Sequence, residues 1–321
     1  MTYKHLKSFI ELNNTAFTGK IFDLIPKGIK SKIIFAVGNR ANESADYLSS
    51  VMNGMGIAHS RYIDTASIEL KDRFIKNGEY FTIPDLTTLA DGIIKSCGKE
   101  ISSAELCTLL ALNLLANGNE YLILEMSDSF YTDLMAKRLK ATHAVLLTTF
   151  DDSVTVSEAN QIRKPCKHIF AISQKEDYDY ISSKTNKNGV KISYVSENKA
   201  VLFRSDILGT EFFYNGQEYK ISSFDLNNIL PASIAVECAR AILCCTYPQA
   251  YNGLKNTHLS RDIALHSVCP TVLLSERADF KLDKGLKFKT VTEADGIILP
   301  TEDTLYIGSF EYLEKIKNAV K

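Results

Sequence analysis

The 321 residues contain no tryptophan, only seven prolines, no C-x-x-C pair and no surplus of either charge. Each shortage excludes something. With 37 Lys+Arg against 38 Asp+Glu and a net charge of -1, no basic field exists to gather nucleic acid or an anionic membrane, and neither is expected as a partner. No apolar run approaches the roughly 18 residues needed to span a bilayer. The first residues, Met1-Thr-Tyr-Lys-His-Leu-Lys7, carry no apolar signal core, and the expectation is a cytoplasmic protein. Cys97, Cys107, Cys166, Cys238, Cys244, Cys245 and Cys269 are odd in number and mostly embedded in apolar runs, as small core residues are. A disulfide or metal framework is not expected. The six histidines are dispersed, and His59, His143, His168 and His266 lie among apolar neighbours as structural residues do.

What is present is an alternation of buried-type strands and amphipathic helices. Ile33 to Val37 is a short apolar run rich in branched residues, and Ala45, Leu48, Val51 and Met52 then recur at helical spacing. Helices are predicted from about Ile83 to Ser96, with Pro84 in the first turn, and from about Ser102 to Ala116, with Ser102 and Glu105 as a capping box. Tyr121 to Met126, His143 to Thr148 and His168 to Ile172 read as buried strands, the first two flanking a helix around Thr132 to Leu139. This alternation predicts an α/β fold with a mainly parallel sheet flanked by helices. After Ser182 the texture changes. Short strands at 191–197, 200–204, 211–214 and 218–221, broken by turn signals such as Asn215-Gly216, predict an antiparallel meander. A helix from about Pro231 to Cys244 follows, and Tyr247 to Gly253 reads as a linker. Strands at 271–274, 296–299 and 304–307 and a helix from about Tyr312 to Val320 complete a small terminal α/β piece. The expected division is a central domain of 1–250 and a shortened C-terminal domain of 251–321.

The stretch with most chemical content is Lys32-Ile-Ile-Phe-Ala-Val-Gly-Asn-Arg-Ala-Asn-Glu-Ser44, a strand running through a turn into a helix. A phosphate cradle at such a place needs glycines for close backbone approach, a lysine for the terminal phosphates, and a Ser or Thr for magnesium. Only Gly38 and Ser44 meet the pattern. Taken alone, an ordinary strand-to-helix turn accounts for it.

The order of elements and several landmarks nevertheless resemble folylpolyglutamate synthase and the wider Mur ligase family, nearly end to end. The family's loop G-T-N-G-K-G-S aligns without a gap on Gly38-Asn-Arg-Ala-Asn-Glu-Ser44, placing Asn42 at the lysine. Its N-G-E turn matches Asn77-Gly78-Glu79, its F-E-x-x-T segment resembles Ala104-Glu105-Leu-Cys-Thr108, and its strand-end Leu-Glu matches Leu124-Glu125. Gly253-Leu254, Arg261 and Thr304-Leu-Tyr-Ile-Gly308-Ser309 resemble the landmarks of the terminal domain.

The resemblance implies ATP and magnesium as cofactors of an amide ligase, with Gly38, Asn42, Ser44 and Arg261 at the nucleotide and Ser44 and Glu125 at the metal. It also marks departures. Ala159 stands where many members carry a carbamylated lysine, the Asp-His metal pair is shortened to Asp151-Asp152, and Leu230-Pro231-Ala232 falls at the adenine-binding Asn. An amide ligase cannot run without clamped phosphates and metal. The expectation is therefore a degenerate P-loop and a pseudoenzyme with no catalytic residue, acting by binding a protein partner, a second copy of itself, or a small anion or metabolite. The alternative is a divergent ATP-dependent carboxylate–amine ligase adding an amino acid to a folate-like or peptidoglycan-like substrate. Glu125 reads equally as a cap for the following turn, and Ser44 as a helix-start residue. Bulky Arg40, Asn42 and Glu43 are expected to fill the cleft, with Arg40 pairing to Glu125. Tyr306, Phe310 and Tyr312 are the aromatic candidates for an assembly contact.

Overall fold

Branched side chains on both faces of Ile33 to Val37 demand cover on both sides, and this run becomes a central strand. A computed structural model describes residues 1–13, 23–38, 40–64, 69–97, 101–115, 118–126, 142–147, 166–172, 191–259, 263–268, 270–275 and 278–320. Strand β1 (Lys32–Val37) pairs in parallel with β5 (Tyr121–Met126) on one side and β6 (Thr142–Leu147) on the other. Outward from β5 lie β2 (His59–Tyr62), parallel, then β3 (Phe74–Lys76) and β4 (Glu79–Tyr80), antiparallel. Outward from β6 lie β7 (Cys166–Ile172) and β8 (Lys191–Val195), both parallel. The sheet order is β4-β3-β2-β5-β1-β6-β7-β8.

Alternate residues of β1 and β5 separate into two cores. Ile33, Phe35, Val37, Leu122 and Leu124 face a layer built from α1 (Tyr3–Leu12), α3 (Ile83–Cys97) and α4 (Ser103–Leu115). Ile34, Ala36, Tyr121 and Ile123 face α2 (Ala41–Gly54), α5 (Ile229–Leu243) and α6 (Tyr247–Lys255). Helix α4 begins with the expected reciprocal cap, Ser102 N–H donating to Glu105 Oε2 at 2.9 Å and Glu105 N–H to Ser102 Oγ at 3.2 Å. The β3–β4 turn places Asn77 at φ 52° and Gly78 at φ 82°, the left-handed pair that a tight hairpin requires.

The meander is three-stranded: β9 (Ala200–Asp206), β10 (Gly209–Tyr214) and β11 (Gln217–Ile221), in the order β11-β10-β9. It packs Phe212, Tyr214, Tyr219 and Ile221 into the same core as α2 and α5. Of the segment expected as its first strand, 191–197, residues 191–195 instead extend the large sheet as β8, parallel to β7. The segment read as a linker is helix α6, closed by a Thr246–Gln249 capping box. It lies so close to α2 that a Cβ on Gly253 would stand 2.6 Å from Val51 Cα.

A separate four-stranded sheet closes the chain, in the order β12 (Ala264–Val268), β13 (Thr271–Ser275), β15 (Thr304–Ile307), β14 (Lys289–Thr292), with α7 (Phe310–Ala319) on one face. The expected strand at 296–299 is exposed coil, and Lys289–Thr292 takes the edge position instead. Tyr306 and Tyr312 are buried with Val272, Leu274 and Ile316 in this unit's core, which removes them as a surface for assembly. The other face packs Leu273, Leu305 and Ile263 against Phe224, from the turn that leads into α5. The helix expected near 132–139 lies outside the described residues. Among the described residues no helix is long and apolar enough to cross a membrane.

Candidate functional site

Strand β1 delivers the chain at its C-terminal end into the turn that a phosphate loop would occupy. Gly38 sits at φ 99° and Arg40 at φ 62°, both in the left-handed region, before α2 begins at Ala41. The Ala41 N–H closes the turn onto Gly38 O at 3.1 Å, and the Ser44 N–H caps back onto Arg40 O at 3.2 Å. Ala41, Asn42, Glu43 and Ser44 are all buried, so the first turn of α2 is covered by protein.

Asn42, at the lysine position, is 3% exposed and turned toward β2. Its Oδ1 accepts from Arg61 Nη2 at 2.5 Å, and its carbonyl accepts from the same nitrogen at 3.3 Å. Arg61, 4% exposed, also makes an ion pair with Asp46, one turn along α2. A charge so far from water requires such partners. Among the described residues, Arg61 from β2 is thus a buried cation beside the loop, in addition to Arg40 on the loop itself. Lys71 sits in the short helix Leu70–Arg73, its backbone N–H donating to Tyr3 Oη. Asn42 Nδ2, Arg61 Nε and Ser44 Oγ are buried without a hydrogen-bond partner among the described residues.

Glu125, at the end of β5, accepts the Asp64 backbone N–H on Oε2 at 3.2 Å. Burial pushes its carboxyl up to about 7; Arg61 pulls the other way, while Asp64 and Asp46 raise it further. Among the described residues no group of three or more His, Cys, Asp or Glu converges to hold a metal ion.

Arg40 does not pair with Glu125. Its left-handed backbone, at the N-cap of α2, carries the side chain toward the turn before α5 and toward the terminal sheet. Nη1 donates to Asp225 Oδ2 at 2.9 Å and Asn228 Oδ1 at 3.0 Å, and Nη2 to the Asp279 carbonyl at 2.6 Å. The Glu43 and Asp279 carboxylates lie 3.8 and 3.7 Å away.

Of the residues singled out from sequence, Gly38, Asn42 and Ser44 share this turn, and Glu125 stands at the end of the neighbouring strand. Arg261 lies outside the described residues, as do Asp151, Asp152, Ala159 and Lys164. Arg61, Asp46 and Asp225 carry the electrostatics and were not singled out. In the structure Arg61 is a charge inside β2, all four residues of which are buried. Cys244 is exposed at the left-handed C-cap of α5, unlike the core residue expected there, whereas Cys245 is buried.

A parallel sheet with a loop and helix after its central strand, a meander and a small terminal sheet make the frame of a Mur ligase-like fold. Among solved structures the likeness is to folylpolyglutamate synthases. The enzyme of Lactobacillus casei superposes with a TM-score of 0.71 at 11% identity, covering 99% of this chain and 99% of that one. The Thermotoga maritima synthase gives a TM-score of 0.69 at 15% identity, over 86% of this chain and 70% of that one. The Mycobacterium tuberculosis synthase gives 0.66 at 10%, over 85% and 70%. At such identities these likenesses show the fold alone. No family model matches the sequence, and no curated protein does.

Proposed function

We propose that this protein is a ligase-fold binding protein that does not use ATP to form amide bonds, and that it acts by holding a partner, a second copy of itself, or a small anion or polar metabolite. The observation that carries the reading is the commitment of the loop's side chains. The position of the phosphate-reaching lysine is a buried Asn42 hydrogen-bonded to Arg61, and Arg40 is spent on Asp225, Asn228 and Asp279. The Mycobacterium tuberculosis synthase has been solved in complex with ADP and AMPPCP. In this chain the residues corresponding to a nucleotide loop do not fit the same ligand: no lysine is there and the helix start is covered. No step of a ligase reaction is derived through ATP or magnesium.

A second reading keeps one supporting observation. Arg61 places a buried guanidinium beside the loop, and its Nε and Asn42 Nδ2 have no partner among the described residues. A divergent ATP-dependent carboxylate–amine ligase would need that cation to stand in for the lysine. Calorimetric titration with ATP and magnesium separates the two. The binding-only reading expects nothing tighter than about millimolar, roughly 4 kcal/mol of affinity. Micromolar, magnesium-dependent binding overturns it in favour of the ligase.

A further inference from the structure

We propose that Arg40 is an interdomain clasp that, through Asp225, Asn228 and Asp279, fixes the terminal sheet against the central domain with no ligand needed between them. This concerns how two parts of the fold are held, and it stands whatever the cleft binds.

Three chain segments meet at the guanidinium: the turn after β1, the 225–228 turn before α5, and the 279–281 stretch that follows β13. Arg40, carried by the first, bonds the other two through its two terminal nitrogens. The segments also bond one another around it. Asp225 Oδ1, the carboxylate oxygen Arg40 does not bond, accepts the Lys281 N–H at 2.8 Å and the Asn227 N–H at 3.0 Å. The Leu226 N–H donates to Lys281 O at 2.7 Å, and Asn227 Nδ2 to the same Asp279 carbonyl at 3.1 Å. Asp225 is thus satisfied on both oxygens, one by the terminal unit's backbone and its own turn, the other by Arg40. Its neighbour Phe224 is packed against Leu273 and Leu305 of the terminal sheet. An apolar contact and a charged knot therefore act at one place.

The guanidinium is 9% exposed and Asp225 6%, so solvent and salt screen the pair little, and its hydrogen bonds are charge-assisted. Arg40 holds its left-handed φ of 62° although it is not glycine. A residue stays in that region when its surroundings over-determine it, and the acceptors on two other segments do so here. The consequence is mechanical. Opening the terminal unit must break the Arg40 bond to the Asp279 carbonyl together with the Lys281 bonds to Asp225 and Leu226, and anything entering between the loop and the 225–228 turn must displace the guanidinium.

Hydrogen exchange on the full chain tests this through the Leu226 and Lys281 amides, which bridge the two parts. In Arg40→Gln these two should exchange faster by about ten-fold or more, while Phe35, Leu122, Leu273 and Leu305, inside their own sheets, keep the wild-type rate. Asp225→Asn keeps an acceptor for the backbone amides and removes the charge partner of Arg40; it should show the same local acceleration, and decides the matter if Arg40→Gln does not fold. Unchanged exchange at Leu226 and Lys281, or uniform acceleration across both sheets, overturns the clasp. Neither outcome bears on whether ATP binds, which the calorimetric titration decides separately.

Discussion

A guanidinium at 4% exposure fixes the meaning of its neighbours, because a buried charge with an incomplete set of partners is costly. Arg61 answers to Asp46 and Asn42, and among the described residues Glu125 accepts the Asp64 backbone N–H. The sign of its pH dependence follows. The Glu125 carboxyl titrates near 4.5 when unfolded and at about 7 when folded, so the folded state holds the extra proton between those values. Stability from this group is present below about 4.5 and is lost as pH rises through 7. His168 opposes it, since burial lowers its imidazole to about 4 and costs stability as pH falls below 6.5. Total stability against pH therefore mixes the two, and a variant is needed to isolate Glu125. Glu125→Gln keeps an acceptor for the Asp64 amide and should be more stable than wild type at pH 8 by on the order of 3 kcal/mol, with the difference vanishing near pH 4. Urea unfolding at the two pH values measures it, and equal differences at both would reject the raised carboxyl.

Asn42→Lys belongs to the same scale. The new ammonium would lie against the Arg61 guanidinium and remove the oxygen that Arg61 bonds, so we expect a loss of roughly 2–4 kcal/mol in stability. It should not create ATP turnover, because Ala159 and the shortened Asp151-Asp152 remain. Turnover in the variant would mean that the loop lacked only its charge.

At the scale of elements, the features legible in the sequence are those decided within a few residues. The Asn77-Gly78 turn, the Ser102–Glu105 cap and the paired burial of Ile33 to Val37 needed no distant information. Lys191–Val195 joins the large sheet and not the meander, because a short strand does not encode its partner; His168 Nε2, 3.0 Å from Ser193 Oγ, belongs to a pairing set by the fold. Helix α6 was hidden by Pro248, Asn252 and Gly253, residues typical of a linker. The glycine has another cause, the approach of α2. Gly253→Ala would add helix propensity worth about 1 kcal/mol, but the new Cβ would meet Val51 backbone, which cannot swing aside. Overpacking of this kind costs about 1–3 kcal/mol, so the net effect should be destabilising, read as a lower midpoint in thermal unfolding. A midpoint at or above wild type would show that the α2–α6 packing yields.

At the scale of the whole molecule, the candidate site depends on contacts the sequence does not reveal. Arg40 bonds residues 185 and 239 positions away, and no local pattern picks out Asp225 or the Asp279 carbonyl. The turn itself is set by nearby residues, whereas the carboxylate that Arg40 meets, Asp225 and not Glu125, is set by the fold. The arrangement makes a prediction that does not depend on any one variant. A ligand that binds only the folded state stabilises it by RT ln(1 + [L]/Kd), about 0.4 kcal/mol when ligand equals Kd and about 4 kcal/mol at a thousandfold excess. If the covered helix start and the clasp leave no cradle for phosphates, millimolar ATP with magnesium should raise the unfolding midpoint by about 1 °C or less. Micromolar affinity would raise it by several degrees. Arg40→Gln gives the comparison that makes a flat result informative: with Asn42 still buried and no lysine in the loop, loosening the clasp alone should leave the nucleotide shift as small as in wild type. A large shift appearing only in that variant would mean that a competent site lies behind Arg40, and that the clasp rather than the lost lysine excludes nucleotide.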